Sequence, residues 1–255
     1  MDGTFISAAI ITRNEAQNIE RCLNSLIGVV DEIVVVDSCS DDGTADVCRR
    51  YGAKVTERPF AGYGPQRQYA CTLANGRYVL SIDADEVLTE ELRQSLRLLR
   101  RAPFRHRAYC FDVVNYINGE AVRHGGLEPA CQTRLFDKRY VNWNLLDVGE
   151  HLIYAPGISP FRIEGAIHHY RSATFEEFEQ KELRHARIRG RLMAAAGIDA
   201  AAPARYLRAA AAFVGCGVAD GAIMEGSAGL RIALTRFRAT LEAYRTASKL
   251  LKNKE

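Results

Sequence analysis

The stretch "VLSIDADEVLTE", residues 79–90, decides how this 255-residue chain is read. Val79, Leu80 and Ile82 give the apolar run of a strand buried on both faces. The run ends on Asp83, Asp85 and Glu86, and the stretch holds no Lys or Arg to neutralise them. Carboxylates gathered at a strand end point to a cation, a polar ligand or the first turn of a helix.

The segments before it repeat the design. In "ISAAIITRNEAQNIERCLNSL" (6–26) an apolar strand at 6–11 breaks at Thr12, Arg13 and Asn14. Helical spacing of Ile19, Leu23 and Leu26 follows, with Asn14 as the expected N-cap. In "VDEIVVVDSCSDDGTADVCRRYGAKV" (30–55) a strand at 33–36 closes on Asp37, and a loop leads to a short helix stopped by Gly52. A further short strand lies in "AKVTER" (53–58), and "GPQRQYACTLANG" (64–76) reads as a helix. Strands and helices alternate, and the strands are apolar throughout. This predicts an α/β protein with a mostly parallel, Rossmann-like sheet flanked by helices. Ligands of such sheets bind beyond the carboxyl ends of the strands. The polar tips at 12–15, 37–42 and 83–86 are therefore expected to meet at one crevice.

Beyond residue 86 the spacing predicts a helix over 87–101, with Glu86 starting it. "AYCFDVVNYINGEAV" (108–122) predicts a hairpin turning at Asn118 and Gly119, and "CQTRLFDKRYVNWN" (131–144) a second strand pair. "DVGEHLIYAPG" (147–157) is a polar loop entering a short strand, and "FRIEGAI" (161–167) a strand before His168 and His169. From about Thr174 the chain reads as three helices, with "AAAGIDAAAPA" (194–204) joining two of them. The expected division is a catalytic domain over 1–172 and a helical C-terminal region over 173–255.

Seven cysteines, an odd number without a C-x-x-C pair, fit a reduced intracellular protein and no thiolate metal site. The N-terminus lacks the basic start and apolar core of a signal peptide. "AAAAFVGCGVADGAIM" (209–224) is too short and interrupted to span a bilayer. Residues 181–255 carry 14 Lys and Arg against 6 Asp and Glu, a net +8, which leaves −5 on the first 180 residues. Nucleic acid is not an expected partner of so acidic a body.

A D-x-D pair such as Asp83 and Asp85 can share one hard divalent cation, Mg²⁺ or Mn²⁺, with substrate phosphates. The alternative is an acidic helix start. Asp37, closing an apolar strand, can accept hydrogen bonds from a ribose or base; Asp41 and Asp42 read more simply as turn and cap residues. Neither G-x-G-x-x-G after the first strand nor G-x-x-x-x-G-K-[ST] is present. His169 is a candidate third metal ligand or phosphate contact, with core packing as its alternative. Trp143 is either a sugar-stacking platform or a core residue.

With these segments, "AAIITRNEAQNIERCLNSL", "DEIVVVDSCSDDGTADV", "GYGPQRQYA" and "GRYVLSIDADE", the chain resembles the family 2 inverting glycosyltransferases of GT-A fold. It is most similar to the bacterial β-glucosyltransferases of lipopolysaccharide-core assembly. The resemblance is dense over residues 5–90 and thinner through "VGEHLIYAPG", "IHHYRSATFEEF" and "GCGVADG". It implies that Thr12, Arg13 and Glu15 line the nucleotide pocket and that Asp37 faces the base or ribose. Arg67 would lie near the diphosphate or sugar, Asp83 on the ribose–phosphate side, and Asp85 on the metal. Glu150 would be the catalytic base, in a segment reading "VGEHL" where the family has V-H-E-H-L, so that Gly149 stands in place of His. Gln68 likewise stands where Asn is common.

The implied reaction moves a sugar, glucose or another hexose, from a UDP-sugar to a hydroxyl of a cell-envelope glycan or lipid-linked acceptor. A base such as Glu150 would deprotonate that hydroxyl in a single displacement that inverts the anomeric centre. An ion pair with Arg134 or Arg139 is the structural alternative for Glu150. The rivals are a haloacid-dehalogenase-like phosphatase using D-x-D, a sugar nucleotidyltransferase and a non-catalytic sugar-nucleotide-binding relative. The first lacks a downstream acidic pair, and the second a Gly-rich basic loop. In "GLRIALTRFRATLEAYRTASKLLKNK" (229–254) an apolar stripe runs beside a basic face. That suits peripheral contact with an anionic inner-leaflet surface, or packing on the body or in a homodimer.

Overall fold

A computed structural model describes residues 5–147, 149–199 and 202–252. Val148, and residues 200 and 201 of the predicted helix connector, lie outside them. The first half follows the alternation: β1 (Ile6–Thr12), α1 (Ala16–Leu26), β2 (Glu32–Asp37), α2 (Thr44–Arg50), β3 (Lys54–Glu57), α3 (Tyr63–Leu73) and β4 (Tyr78–Asp83). Strands β1, β2 and β4 are buried almost throughout, as their unbroken apolar runs require.

The expected helix over 87–101 is shorter. Residues 84 and 85 form a turn, Glu86 opens the short strand β5 (Glu86–Leu88), and α4 (Glu90–Leu99) starts only after Thr89, whose side chain caps Leu92 N. Glu86 is fully buried, so it is not a solvated helix-start carboxylate. Next come β6 (Ala108–Ile117), β7 (Glu120–Ala121), β8 (Ala130–Asp137), β9 (Val141–Trp143), β10 (Leu152–Tyr154) and β11 (Phe161–Ser172). The hairpin of β6 and β7 turns at Asn118 and Gly119, both at positive φ, as predicted.

The expected pairing of β8 with β9 does not form. Strand β8 enters the main sheet antiparallel between β4 and β6, while β9 pairs with β10 in a separate ribbon. Among the described residues the main sheet runs β3-β2-β1-β4-β8-β6-β11-β5, with β7 on β6 and the first four strands parallel.

The chain divides into two compact units. One takes the residues up to Val113 together with Ala130–His169; the other takes Val114–Pro129 and the chain from Tyr170 onward. The first holds two cores, one on each face of the sheet. Ile10, Leu23, Leu80 and Leu92 lie in one, and Val36, Ala70, Phe136 and Trp143 in the other. The second unit is built on α5 (Phe175–Ala195), α6 (Ala202–Val214) and α7 (Gly226–Lys252), with a π turn at Gly215–Ala219 and a 3-10 turn at Ala222–Glu225. Helix α7 packs on α5 and α6. Gly190 lets α5 approach so closely that a Cβ there would lie 2.5 Å from Ala243 O. The apolar stripe of α7 is buried in part: Leu241 is buried and Phe237 and Tyr244 are half-buried, while Leu230 and Leu234 are exposed. No single described helix is long and apolar enough to cross a membrane.

Candidate active site

The parallel registers bring the polar tips to one level. Thr12 lies opposite Asp37, and Ile11 opposite Asp83. Thr12 Oγ1 donates to Asp37 Oδ1 at 2.7 Å, and Asp37 also accepts from Ser40 N (2.7 Å) and Ser40 Oγ (2.6 Å). The two loops are laced together. Asn14, at φ 55°, donates its N–H to Ser40 Oγ and accepts from Asp41 N. The predicted Asn14 cap on α1 is absent. The N–H groups of Glu15 and Ala16 are met instead by Thr44 Oγ1 and by Asp42 Oδ2 of the neighbouring loop. Asp42 therefore does structural work, and although burial opposes it, its bonds to Thr44 and Ala16 hold its carboxyl below the usual range. Arg13 is exposed, and Glu15 accepts from the Asn18 side chain at 2.7 Å.

The DADE turn separates its carboxylates. Arg67, buried on α3, grips Asp83 with both guanidinium ends, at 2.5 Å to Oδ1 and 2.9 Å to Oδ2. Burial pushes the Asp83 carboxyl up, but Arg67 and then Arg134 outweigh it and hold it well below the usual carboxylate range. Glu86 accepts from Asp83 N at 2.9 Å and pairs with buried Arg134 at 2.5 Å. Burial still leaves the Glu86 carboxyl raised. Asp85 is met by His169 Nε2 at 3.3 Å. Strand β11 delivers that histidine, placing it directly across from Glu86 on β5, with Nδ1 3.8 Å from Glu86 Oε1.

These donors fit a hard divalent cation. Ligand atoms of Asp83, Glu86 and His169 lie within 4.8 Å of one another. Two of these carboxylates are already matched by arginines, whereas Asp85 and His169 stand 3.3 Å apart. Adjacent ligands of an octahedral Mg²⁺ or Mn²⁺ shell sit roughly 3 Å apart. The cluster of close ligand atoms is thus Asp83, Glu86 and His169, and Asp85, the expected metal ligand, adjoins it through His169.

Glu150 faces the same guanidinium, its Oε1 3.7 Å from Arg67 Nε, and that Nε has no hydrogen-bond partner. The expected alternatives for Glu150 are not realised: Arg134 pairs with Glu86, and Arg139 with Asp137 at 3.1 Å. The loop carrying Glu150 is docked on the start of α3, where Tyr63 N donates to Asp147 O and Gly64 N to Leu146 O, both at 3.0 Å. Only glycine fits there, since a Cβ on Gly64 would fall 2.3 Å from Asn144 O. Asn144 and His151 close the loop through a 2.7 Å contact, and Gly149 occupies a left-handed conformation at φ 85°. Trp143 is a core residue with Arg67 5.0 Å over its ring, and Gln68 anchors the Trp143 N–H at 2.9 Å. His168 is half-buried, and burial lowers its pKa.

Sequence reasoning missed Arg134 as the partner of Glu86. The signal available was an arginine inside a strand that turns apolar at Leu135 and Phe136. It also missed Gln66, fully buried, whose Nε2 donates to Ser38 Oγ at 3.1 Å while Oε1 stays without a partner.

The description "Glycosyl transferase family 2" matches residues 7–162, and the chain belongs to that family. Its mixed α/β architecture, with a central sheet whose strands β3, β2, β1 and β4 are parallel, is the GT-A fold. An uncharacterized glycosyltransferase of Rickettsia bellii is 31% identical over 186 residues, 69% of this chain and 63% of that protein. The chain therefore spans less than two thirds of that relative. The lipopolysaccharide core biosynthesis glycosyltransferase LpsC of Rhizobium meliloti is 38% identical over 96 residues, 36% of this chain and 35% of LpsC. The structure of S. aureus TarS 1-349 in complex with UDP aligns over 99% of this chain and 92% of TarS, at 15% identity and a TM-score of 0.47.

Proposed function

We propose that the protein transfers a hexose, glucose or a close relative, from a UDP-sugar to a hydroxyl of a bacterial envelope glycan or lipid-linked acceptor, with inversion. The observation that carries the reading is the line from Glu150 through Arg67 to Asp83, ending at the turn where Asp85 meets His169. It joins a proton acceptor to a cation-holding turn at the carboxyl ends of parallel strands, where nucleotides bind in such sheets. A lipopolysaccharide-core relative, LpsC, supports the envelope acceptor.

In this scheme Thr12, Arg13, Glu15 and Asp37 line the nucleoside pocket, and Asp83 with Arg67 borders the phosphates. Asp85 and His169 would hold a divalent cation, which when bound would neutralise charge on the departing diphosphate. Glu150 takes the proton of the acceptor hydroxyl as it attacks from the opposite side of the sugar. Arg67 Nε, 3.7 Å away, links the Glu150 carboxylate to the side of the cleft that carries Asp83. The phosphatase reading needs the first aspartate of D-x-D as a free nucleophile, and Asp83 is ion-paired with buried Arg67, whose Nη2 donates to Oδ2.

A panel of nucleotide sugars tests the proposal, with hydrolysis followed in Mn²⁺ or Mg²⁺ for wild type and Asp85→Ala. Metal-dependent release of UDP, lost in the variant, is expected. Phosphate release from simple esters without a nucleotide would overturn it.

A further inference from the structure

The outer face of α6 is unusual for a helix in water. Tyr206, Leu207 and Val214 are exposed there, and from Pro203 to Met224 the exposed charged side chains are Arg208 and, at the corner, Asp220. Leu207, Val214 and Val218 recur at seven- and four-residue steps, one side of a helix. The 3-10 turn adds Ile223 and Met224. Of the five large apolar side chains at least 70% exposed among the described residues, four are Leu207, Val218, Ile223 and Met224.

Their exposure is built in rather than incidental. The two helical arms, Ala202–Ala219 and Ala222–Lys252, meet at 70°. The inside of the corner is pinned: Ala222 is fully buried, and a Cβ on Gly229 would fall 1.6 Å from Ala222 O. Gly125 N donates to Asp220 O at 2.6 Å, and His124 Nδ1 meets Glu225 at 2.7 Å. With the inner residues fixed, Ile223 and Met224 have no inward position to take.

The charge around this face selects among occupants. Residues 202–252 carry eight Lys and Arg against three Asp and Glu, of which Arg231 and Arg238 are paired with Glu176 and Glu179 of α5. Beside α6, Arg208 bonds the Tyr244 hydroxyl at 2.6 Å and Arg245 the Tyr206 hydroxyl at 3.3 Å, both neutral partners. A second copy docked on the same face would bring two basic surfaces together. An anionic bilayer offers acyl chains to the apolar residues and phosphates to the arginines.

We propose that this corner docks the protein on an anionic lipid surface, with Leu207, Val214, Val218, Ile223 and Met224 entering the interface and Arg208 and Arg245 meeting headgroup phosphates. The inference goes beyond the transferase reading and moves the membrane contact from α7, whose stripe is packed at Phe237, Leu241 and Tyr244, to α6 and the turn after it.

Vesicle flotation tests it without any nucleotide. Phosphatidylcholine vesicles are compared with vesicles containing phosphatidylglycerol, using wild type, Ile223→Glu with Met224→Glu, and Arg208→Gln with Arg245→Gln. Circular dichroism melting confirms that the exposed substitutions leave the fold intact. Wild type is expected on the anionic vesicles, with binding falling about tenfold or more in the glutamate pair. The glutamine pair is expected to reduce binding to anionic vesicles selectively. Absence of wild-type binding, or unchanged binding in the glutamate pair, would overturn the proposal. So would a dimer, seen by light scattering and abolished by the same glutamates, in a protein that ignores vesicles.

Discussion

Arg67 holds Asp83 through both ends of its guanidinium and turns its remaining Nε toward Glu150, 3.7 Å away. One buried cation thus ties the nucleotide side of the cleft to the proposed base. Arg67→Ala leaves Asp83 beside Glu86 with its main partner gone. A loss of about 3–5 kcal/mol is expected from breaking such a pair, read as a shift in the urea midpoint. Arg67→Lys keeps the charge but not the two-point grip, and should recover part of the stability and little of the activity.

Glu150→Gln keeps the shape of the loop and removes the proton acceptor. Turnover should fall by about a hundred- to ten-thousand-fold while affinity for UDP stays near wild type. Steady-state kinetics beside a direct binding measurement separates the two. Equal losses in both would assign Glu150 to donor binding instead.

Gly64→Ala tests how the loop is positioned. The new Cβ would meet Asn144 O at 2.3 Å and Leu146 O at 2.7 Å, so the loop bearing Glu150 must shift. A stability cost of about 1–3 kcal/mol is expected, with kcat falling more than KM changes for the donor. Unchanged kcat would mean that the docking of this loop on α3 does not place the base.

The folded-state pKa of Asp83 is depressed, so the stability it contributes is present above its unfolded value of about 3.9 and is lost as pH falls below that. Asp137 is also depressed: burial opposes the shift, but the bonds from Arg139 and Arg77 outweigh it, and it acts in the same direction. Glu86 acts oppositely. Burial raises its carboxyl, so its contribution is lost as pH rises from about 4.3 toward its folded value. Urea midpoints measured from about pH 4 down to about pH 2 should therefore fall, and Arg67→Lys should flatten that fall.

Much of the parallel half of the sheet was legible, because strands buried on both faces leave unbroken apolar runs, as in Val34, Val35 and Val36. The meeting of Thr12, Asp37 and Asp83 followed from that, since parallel strands in register place their carboxyl ends together. What escaped was set at long range. Glu86 reads locally as a helix start, yet it is a buried strand residue because Arg134 arrives from β8, 48 residues later. The cap on α1 comes from Asp42 on another loop rather than from adjacent Asn14. Strand β8 was expected to pair with β9, its neighbour in sequence, but β4 and β6 take both its edges.

The most direct test of the central claim is calorimetric titration of UDP into wild type and Asp85→Asn, each with and without Mn²⁺. The account predicts UDP binding that Mn²⁺ strengthens in wild type, and a variant in which Mn²⁺ makes no difference. UDP affinity that ignores Mn²⁺ in wild type, or the same Mn²⁺ enhancement in Asp85→Asn, would contradict it.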